Sequence, residues 1–357
     1  MAKKFSPLLK GETMRSRDLL RHISPFLVLG VLFGSTVPAE GQTLTTFSVD
    51  PASPSIDGSI TPDDVLEPGP NVFIPGTALG LTDTFFSGFF DNLNALSYGR
   101  DPIQNPLYFS VDRVAIGLPG SAVNGESQGG DAAGDVYKTL PPFGSNQLVI
   151  DEEALGLIPG FFGDDLDALD LDTPSNPEFV FFSVDFLSFP HLDHQDDILV
   201  NNIDSVYADG VSNIGIDNDD DLDALILWDV TVKEDGTVIP VPNGVLNPGY
   251  DMALFSLNTF SPSTFTFSGT DYIPGVKGFL SPADILFTDF TGGFSLWASA
   301  PEIGLFPDDE VDALDTVPVP ESSSSIALIA LGTLGAGSAL KRKLKQKFAK
   351  KQADEAA

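Results

Sequence analysis

An acidic six-residue phrase recurs four times along the chain: DNLNAL at Asp91–Leu96, DDLDAL at Asp164–Leu169 and Asp220–Leu225, and DEVDAL at Asp309–Leu314. A companion, Phe-Ser-hydrophobic-Asp/Asn, starts at Phe47, Phe109, Phe182 and Phe255, so its copies lie 62, 73 and 73 residues apart. Self-similarity at that period means one supersecondary unit repeated, and the fold must be read unit by unit.

Each unit segments in the same way. The companion strand comes first, then a Gly/Pro/Asn-rich excursion such as Gly117–Gly134. An Asp-hydrophobic strand follows: Asp64-Val65-Leu66, Asp135-Val136-Tyr137, Asp197-Ile198-Leu199 and Asp284-Ile285-Leu286. A third hydrophobic stretch (Val72–Ile74, Leu148–Ile150, Ser205–Tyr207, Phe294–Trp297) leads to a Leu/Ile-Gly turn at Gly80, Gly156, Gly215 and Gly304, and then to the acidic phrase. Phe, Val, Ile and Tyr dominate these runs and turn residues bound them, which favours strands over helices. Four short strands per unit, four times, predict an all-β body of four blades over residues 40–317, with repeats at about 47–108, 109–181, 182–254 and 255–317.

The phase of the repeat is the sharper clue. The chain enters on a companion strand and leaves on an Asp-Ala-Leu strand, although in the interior the two are consecutive. The last strand, Asp312-Ala313-Leu314, lacks a partner unless it pairs with Phe47–Asp50. That pairing knits one blade from both ends and closes a β-propeller-like ring, removing exposed strand edges. An open solenoid has no reason for this phase and needs polar caps. The alternative is a β-sandwich built from paired repeats.

Charge narrows the partners. Residues 40–317 hold five Lys/Arg against 46 Asp/Glu, a formal charge of −41. Such a surface repels phosphates, which excludes nucleic acid. The 28 Phe supply core material that disordered acidic chains lack. Without cysteine there is no disulfide, thiolate metal site or Cys nucleophile.

Both ends read as addresses. Arg15, Arg17 and Arg21 precede an apolar run, Ile23–Phe33, and small residues at Val37 and Ala39 fit cleavage between Ala39 and Glu40. Residues 1–39 are thus expected to be a helical signal peptide, with Met1 or Met14 as the start. The C-terminal segment 318–357 begins Pro318-Val319-Pro320-Glu321, continues through an uncharged run at Ile326–Leu340, expected to be a transmembrane helix, and ends in a basic tail from Lys341. Positive charge stops translocation, so the tail is expected to stay cytoplasmic. This order resembles the PEP-CTERM sorting signal of exported bacterial proteins, with Val319 standing where that family carries Glu. The resemblance implies an exosortase-like processing enzyme, anchorage in the membrane at least until processing, and delivery to the cell surface or exopolysaccharide matrix. The alternative is a plain single-pass anchor.

The repeated unit itself, with Gly120–Val123 and Gly134–Tyr137, resembles a repeat of uncharacterised exported bacterial proteins. More loosely, Asp-Ala-hydrophobic followed by an aromatic strand is similar to hemopexin-type four-bladed propellers. That likeness implies a cation in the channel, held largely through backbone carbonyls.

Chemistry is expected at the repeated acids. Asn94, Asp167, Asp223 and Asp312 occupy equivalent positions, so in a ring they face a common axis or rim, and hard oxygen ligands converging there suit Ca²⁺. Asp217, Asp219 and Asp221 alternate like the start of an EF-hand, but Leu222 stands at the sixth place instead of Gly and Trp228 at the twelfth instead of Glu. His191, Asp193 and His194 carry donors for a transition metal, although as a strand the two imidazoles face opposite ways. No G-x-S-x-G elbow, Walker loop or H-E-x-x-H motif is present. The expected function is therefore non-enzymatic; the sorting-signal resemblance implies binding or scaffolding of extracellular matrix or exopolysaccharide, to which bridging Ca²⁺ could join so acidic a protein. A secreted carbohydrate-active hydrolase using a carboxylate pair is the alternative.

Overall fold

A computed structural model describes residues 43–318, except 57–58, 83–90, 100–106, 140–143, 173–176, 192–193 and 265–271. The cleavage pair Ala39 and Glu40, the residues Val319, Pro320 and Glu321, and the expected membrane helix at 326–340 lie outside the described residues. Among the described residues no helix is long and apolar enough to cross a membrane.

Four antiparallel sheets of four strands form the body. Blade I takes Thr43–Ser48 (β1), Val65–Glu67 (β2) and Asn71–Ile74 (β3); blade II takes Ala95–Ser97 (β4), Leu107–Ser110 (β5), Val136–Thr139 (β6) and Asn146–Ile150 (β7). Blade III holds Leu166–Leu171 (β8), Val180–Val184 (β9), Ile198–Val200 (β10) and Asn202–Ala208 (β11). Blade IV begins with Leu222–Trp228 (β12), is interrupted by a hairpin of Thr231–Val232 (β13) and Val238–Ile239 (β14), and resumes with Met252–Leu257 (β15), Ile285–Thr288 (β16) and Phe294–Ala298 (β17). The last strand, Ala313–Pro318 (β18), returns to blade I, whose order is β18-β1-β2-β3.

The ring closes as the phase predicts. β18 pairs with β1 over six positions, from Thr43 opposite Pro318 to Ser48 opposite Ala313. The same register recurs in every blade, with the phrase's Ala opposite the companion's Ser and its Leu opposite the companion's Phe. The Asp-Ala-Leu strands β4, β8, β12 and β18 are innermost and pack beside one another around the axis. Four separate sheets around an axis, not two facing layers, replace the sandwich alternative.

Hydrophobic burial lies in four seams between blades instead of one central core. Phe47, Leu66, Leu254 and Leu314 fill the seam between blades IV and I; Leu96, Phe109 and Tyr137 fill that between I and II. Leu169, Phe182 and Leu199 lie between II and III, and Phe181, Leu225 and Phe255 between III and IV. Adjacent residues such as Phe181 and Phe182 thus enter different seams. Strands buried on both faces carry apolar residues side by side, as Val180-Phe181-Phe182 do in β9.

The companion's serine ties the seams together. Ser48, Ser110, Ser183 and Ser256 each donate from Oγ to a backbone carbonyl of the next blade, that of Leu93, Leu166, Leu222 and Val311, at 2.6–2.9 Å. All four serines are fully buried. Ser183→Ala removes one such buried bond and is expected to cost about 1–2 kcal/mol, read from urea unfolding.

The Leu/Ile-Gly turns are single helical turns, at Gly76–Leu79 (α1), Glu152–Leu155, Gly210–Ile214 and Ala300–Ile303. Each ends on a left-handed glycine (Gly80, Gly156, Gly215, Gly304; φ 77° to 90°), a conformation that side chains resist. The first N–H of each turn is taken by the Asp that opens the third strand of the blade: Asp64, Asp135, Asp197 and Asp284 accept at 2.9–3.1 Å. The excursion of blade II adds one further helix, Ala122–Ser127 (α2), capped by Ser121.

Candidate cation site at the propeller pole

The acids of the phrase divide by position. The first, Asp91, Asp164, Asp220 and Asp309, is buried and clamps loops: Asp220 takes the Ser263 N–H at 2.8 Å and hydroxyl at 2.6 Å, and Asp309 takes those of Ser55 at 2.8 and 2.5 Å. These are structural ties. The second position (Asn92, Asp165, Asp221, Glu310) offers its backbone carbonyl to the N–H of the companion's last residue (Asp112, Asp185, Asn258, Asp50) at 3.0–3.3 Å. That bond brings both side chains to one end of the inner strands.

The fourth position is where the sequence expected chemistry. Register shifts between Leu166 and Ala168, and between Leu222 and Ala224, place Asp167 and Asp223 in β-bulges, which re-aim the extra residue. Asn94 and Asp312 immediately precede β4 and β18. All four line one pocket of about 390 Å³ at the pole. Asp50, Asp112, Asp165, Asp185 and Asn258 line it too, with one base among the described residues, Arg113, paired to Asp165 at 3.2 Å and Asp185 at 3.0 Å.

Two acid groups gather there. Carboxylate oxygens of Asp167, Asp221 and Asp223 lie within 4.8 Å of one another, as do those of Asp50, Glu310 and Asp312. In the first group Asp167 Oδ2, Asp221 Oδ1 and Asp223 Oδ2 are buried and accept no hydrogen bond from the described residues. The three residues are only 5%, 2% and 2% exposed. Burial pushes all three carboxyls well above the ordinary carboxylate range, and neighbouring acids add to it: Asp223 on Asp167, Asp185 on Asp221, Asp312 on Asp223. Burial raises Asp112 to about 6, and burial reinforced by Asp50 raises Glu310 to about 8.

Such groups have two stable states. They take up protons, or they hold a cation whose charge replaces the lost hydration. Oxygen-only donors converging within cation reach fit Ca²⁺, which takes 6–8 oxygens at 2.3–2.6 Å, far better than a thiolate- or imidazole-seeking metal.

Asp217 and Asp219 do not join. They are exposed on the loop before β12, where Asp217 pairs with Lys277 at 2.8 Å and gives its N–H to Asp220 at 2.7 Å. The run of alternating acids therefore splits: the loop keeps its first acids in solvent while the chain entering β12 carries Asp221 and Asp223 to the axis. The histidines also part. His191 Nδ1 meets Asp164 at 2.8 Å and His194 Nδ1 meets Asp197 at 3.0 Å, while Asp193 lies outside the described residues.

Asp50, Asp112, Asp165, Asp185 and Glu310 are pole acids that the sequence reading missed. Their signal was present, since each stands at a repeated position of the phrase or its companion. The chain matches no family model and no curated protein.

Proposed function

We propose that this is a non-enzymatic, exported and surface-sorted propeller that binds Ca²⁺ at its pole and through it binds or scaffolds anionic extracellular polysaccharide. The group Asp167–Asp221–Asp223 carries the reading, because three buried oxygens without donors make a poor hydrogen-bonded network and a good ligand set. A body of charge −41 repels an anionic polymer, so a bridging cation supplies the attraction. The sorting-signal resemblance of residues 318–357 supports the surface location, with release or retention decided at the Pro318–Glu321 motif.

The test is co-sedimentation of the protein with the producer's own matrix polysaccharide. Binding is expected in millimolar Ca²⁺, to be lost on chelation, and to leave the count of reducing ends unchanged. Release of reducing ends that disappears on changing one carboxylate pair to amides would replace this reading with a hydrolase. Binding indifferent to chelation would remove the cation from it.

A further inference from the structure

One wall of the pole pocket is apolar and exposed. Phe161, Phe162, Leu187 and Phe189 line the pocket and are 57%, 74%, 42% and 59% exposed. All four come from two loops, the link from blade II to β8 at 158–163 and the β9–β10 connection of blade III at 186–191. Both loops are fastened to one buried acid: Asp164 accepts the Ile158 N–H at 2.8 Å and meets His191 at 2.8 Å. The first loop is also closed on itself, Gly163 N–H to the Gly160 carbonyl at 2.7 Å and Asp164 N–H to the Ile158 carbonyl at 2.9 Å. A Cβ on Gly163 would meet the Ile158 carbonyl oxygen at 2.0 Å, so the closure tolerates no side chain there. The rings of Phe161 and Phe162 stand edge to face, centroids 5.1 Å apart. Exposed aromatics on fastened loops are a presented surface.

Beneath this wall one guanidinium offsets part of the acidic charge. Arg113 pairs with Asp165 and Asp185 on the blade III side, whereas the unpartnered oxygens gather at Asp167, Asp221 and Asp223. A Ca²⁺ held by three protein carboxylates keeps coordination positions for other oxygens. Asp167 and Asp223 line the pocket, so those positions open into it. The occupant must therefore offer hard oxygens and, beside them, an apolar face. A sugar ring does this with its C–H face and its hydroxyl or carboxylate oxygens. A wholly apolar ligand would leave the acids without partners, and a basic peptide would compete with the cation.

Resting on the reading above, we infer that the pole is a lectin-like subsite for a uronic-acid segment, its carboxylate on the Ca²⁺ and its ring against Phe161 and Phe162. The pocket's size lies within the range of small-ligand sites.

The experiment titrates the full chain in Ca²⁺ with a uronate oligosaccharide, a neutral oligosaccharide, an amino-sugar oligomer and a basic peptide, and repeats it on F161A/F162A and on F73A, an exposed Phe of β3. The uronate is expected to bind best, to be released by chelation, and to weaken at least about tenfold in F161A/F162A. F73A should match the parent, and Ca²⁺ titration alone should be unchanged in both variants. Uronate affinity untouched in F161A/F162A overturns the inference while leaving the cation reading intact, and so does preference for the amino sugar or the peptide. Failure of the parent protein to bind Ca²⁺ overturns both.

Discussion

A chain that stops at Asp312, just before β18, is expected to lose its cooperative unfolding transition. β18 is the inner strand of blade I, and its removal leaves all six residues of β1 without their partner. It also takes Ala313 and Leu314, both buried, out of the seams on either side of blade I. The lost ladder bonds and apolar contacts together rival the about 5–15 kcal/mol that stabilises a whole domain. Leu314→Ala is the milder version, since a buried Leu truncated in a packed seam costs about 2–5 kcal/mol. Circular dichroism across a urea series distinguishes the outcomes. A truncated chain with an unchanged midpoint and slope would mean that the ring does not depend on closure by its two ends.

The second large effect is a stability that depends on pH in opposite senses with and without calcium. In chelator, the pole carboxyls are raised above their ordinary values in the folded state, so folding takes up protons. Their stabilising contribution is complete below about pH 4 and is lost as pH rises, through about 6 for Asp112 and about 8 for Glu310. Asp165, Asp167, Asp221, Asp223 and Asp312, all raised well above the ordinary range, extend the loss further in the same direction. Calcium reverses the trend because its ligands must be deprotonated, so its affinity grows as pH rises. At a concentration about 100 times its Kd, a ligand specific to the native state adds about 2.7 kcal/mol. For a domain of this size each kcal/mol moves Tm by about 2–4 °C. The gap in Tm between calcium and chelator should therefore be small near pH 5 and widen to several degrees near pH 8.

The ring was legible because its signal is order and spacing. Phe-Ser-hydrophobic-Asp and Asp-Ala-Leu keep one register in every blade, and the phase of their first and last copies carries the closure. The pole was half legible. Equivalence placed Asn94, Asp167, Asp223 and Asp312 together, and they do share the pocket. Asp217 and Asp219 stay on the exposed loop and do not line that pocket, because proximity in sequence is not proximity at the axis once the chain enters β12. The bulges at Asp167 and Asp223 arise from strand pairing, which a local pattern of residues does not encode. The roles of Asp165 and Glu310 likewise depend on hydrogen bonds to residues 20 and 260 positions away, Asp185 and Asp50. The hairpin β13–β14 was missed for a different reason. Among the described residues it is an insertion without counterpart in the other blades, tied down by Asp229 to the Asn243 and Gly244 N–H groups at 2.8 and 2.6 Å.

The most direct measurement is scanning calorimetry of the protein at pH 8, in excess calcium and in chelator, beside D167N/D221N/D223N. Calcium is expected to raise the Tm of the parent by several degrees. The variant, freed of three mutually repelling carboxylates, should melt above the parent in chelator and gain nothing from calcium. Equal responses to calcium in parent and variant, or none in either, would contradict a cation held by Asp167, Asp221 and Asp223.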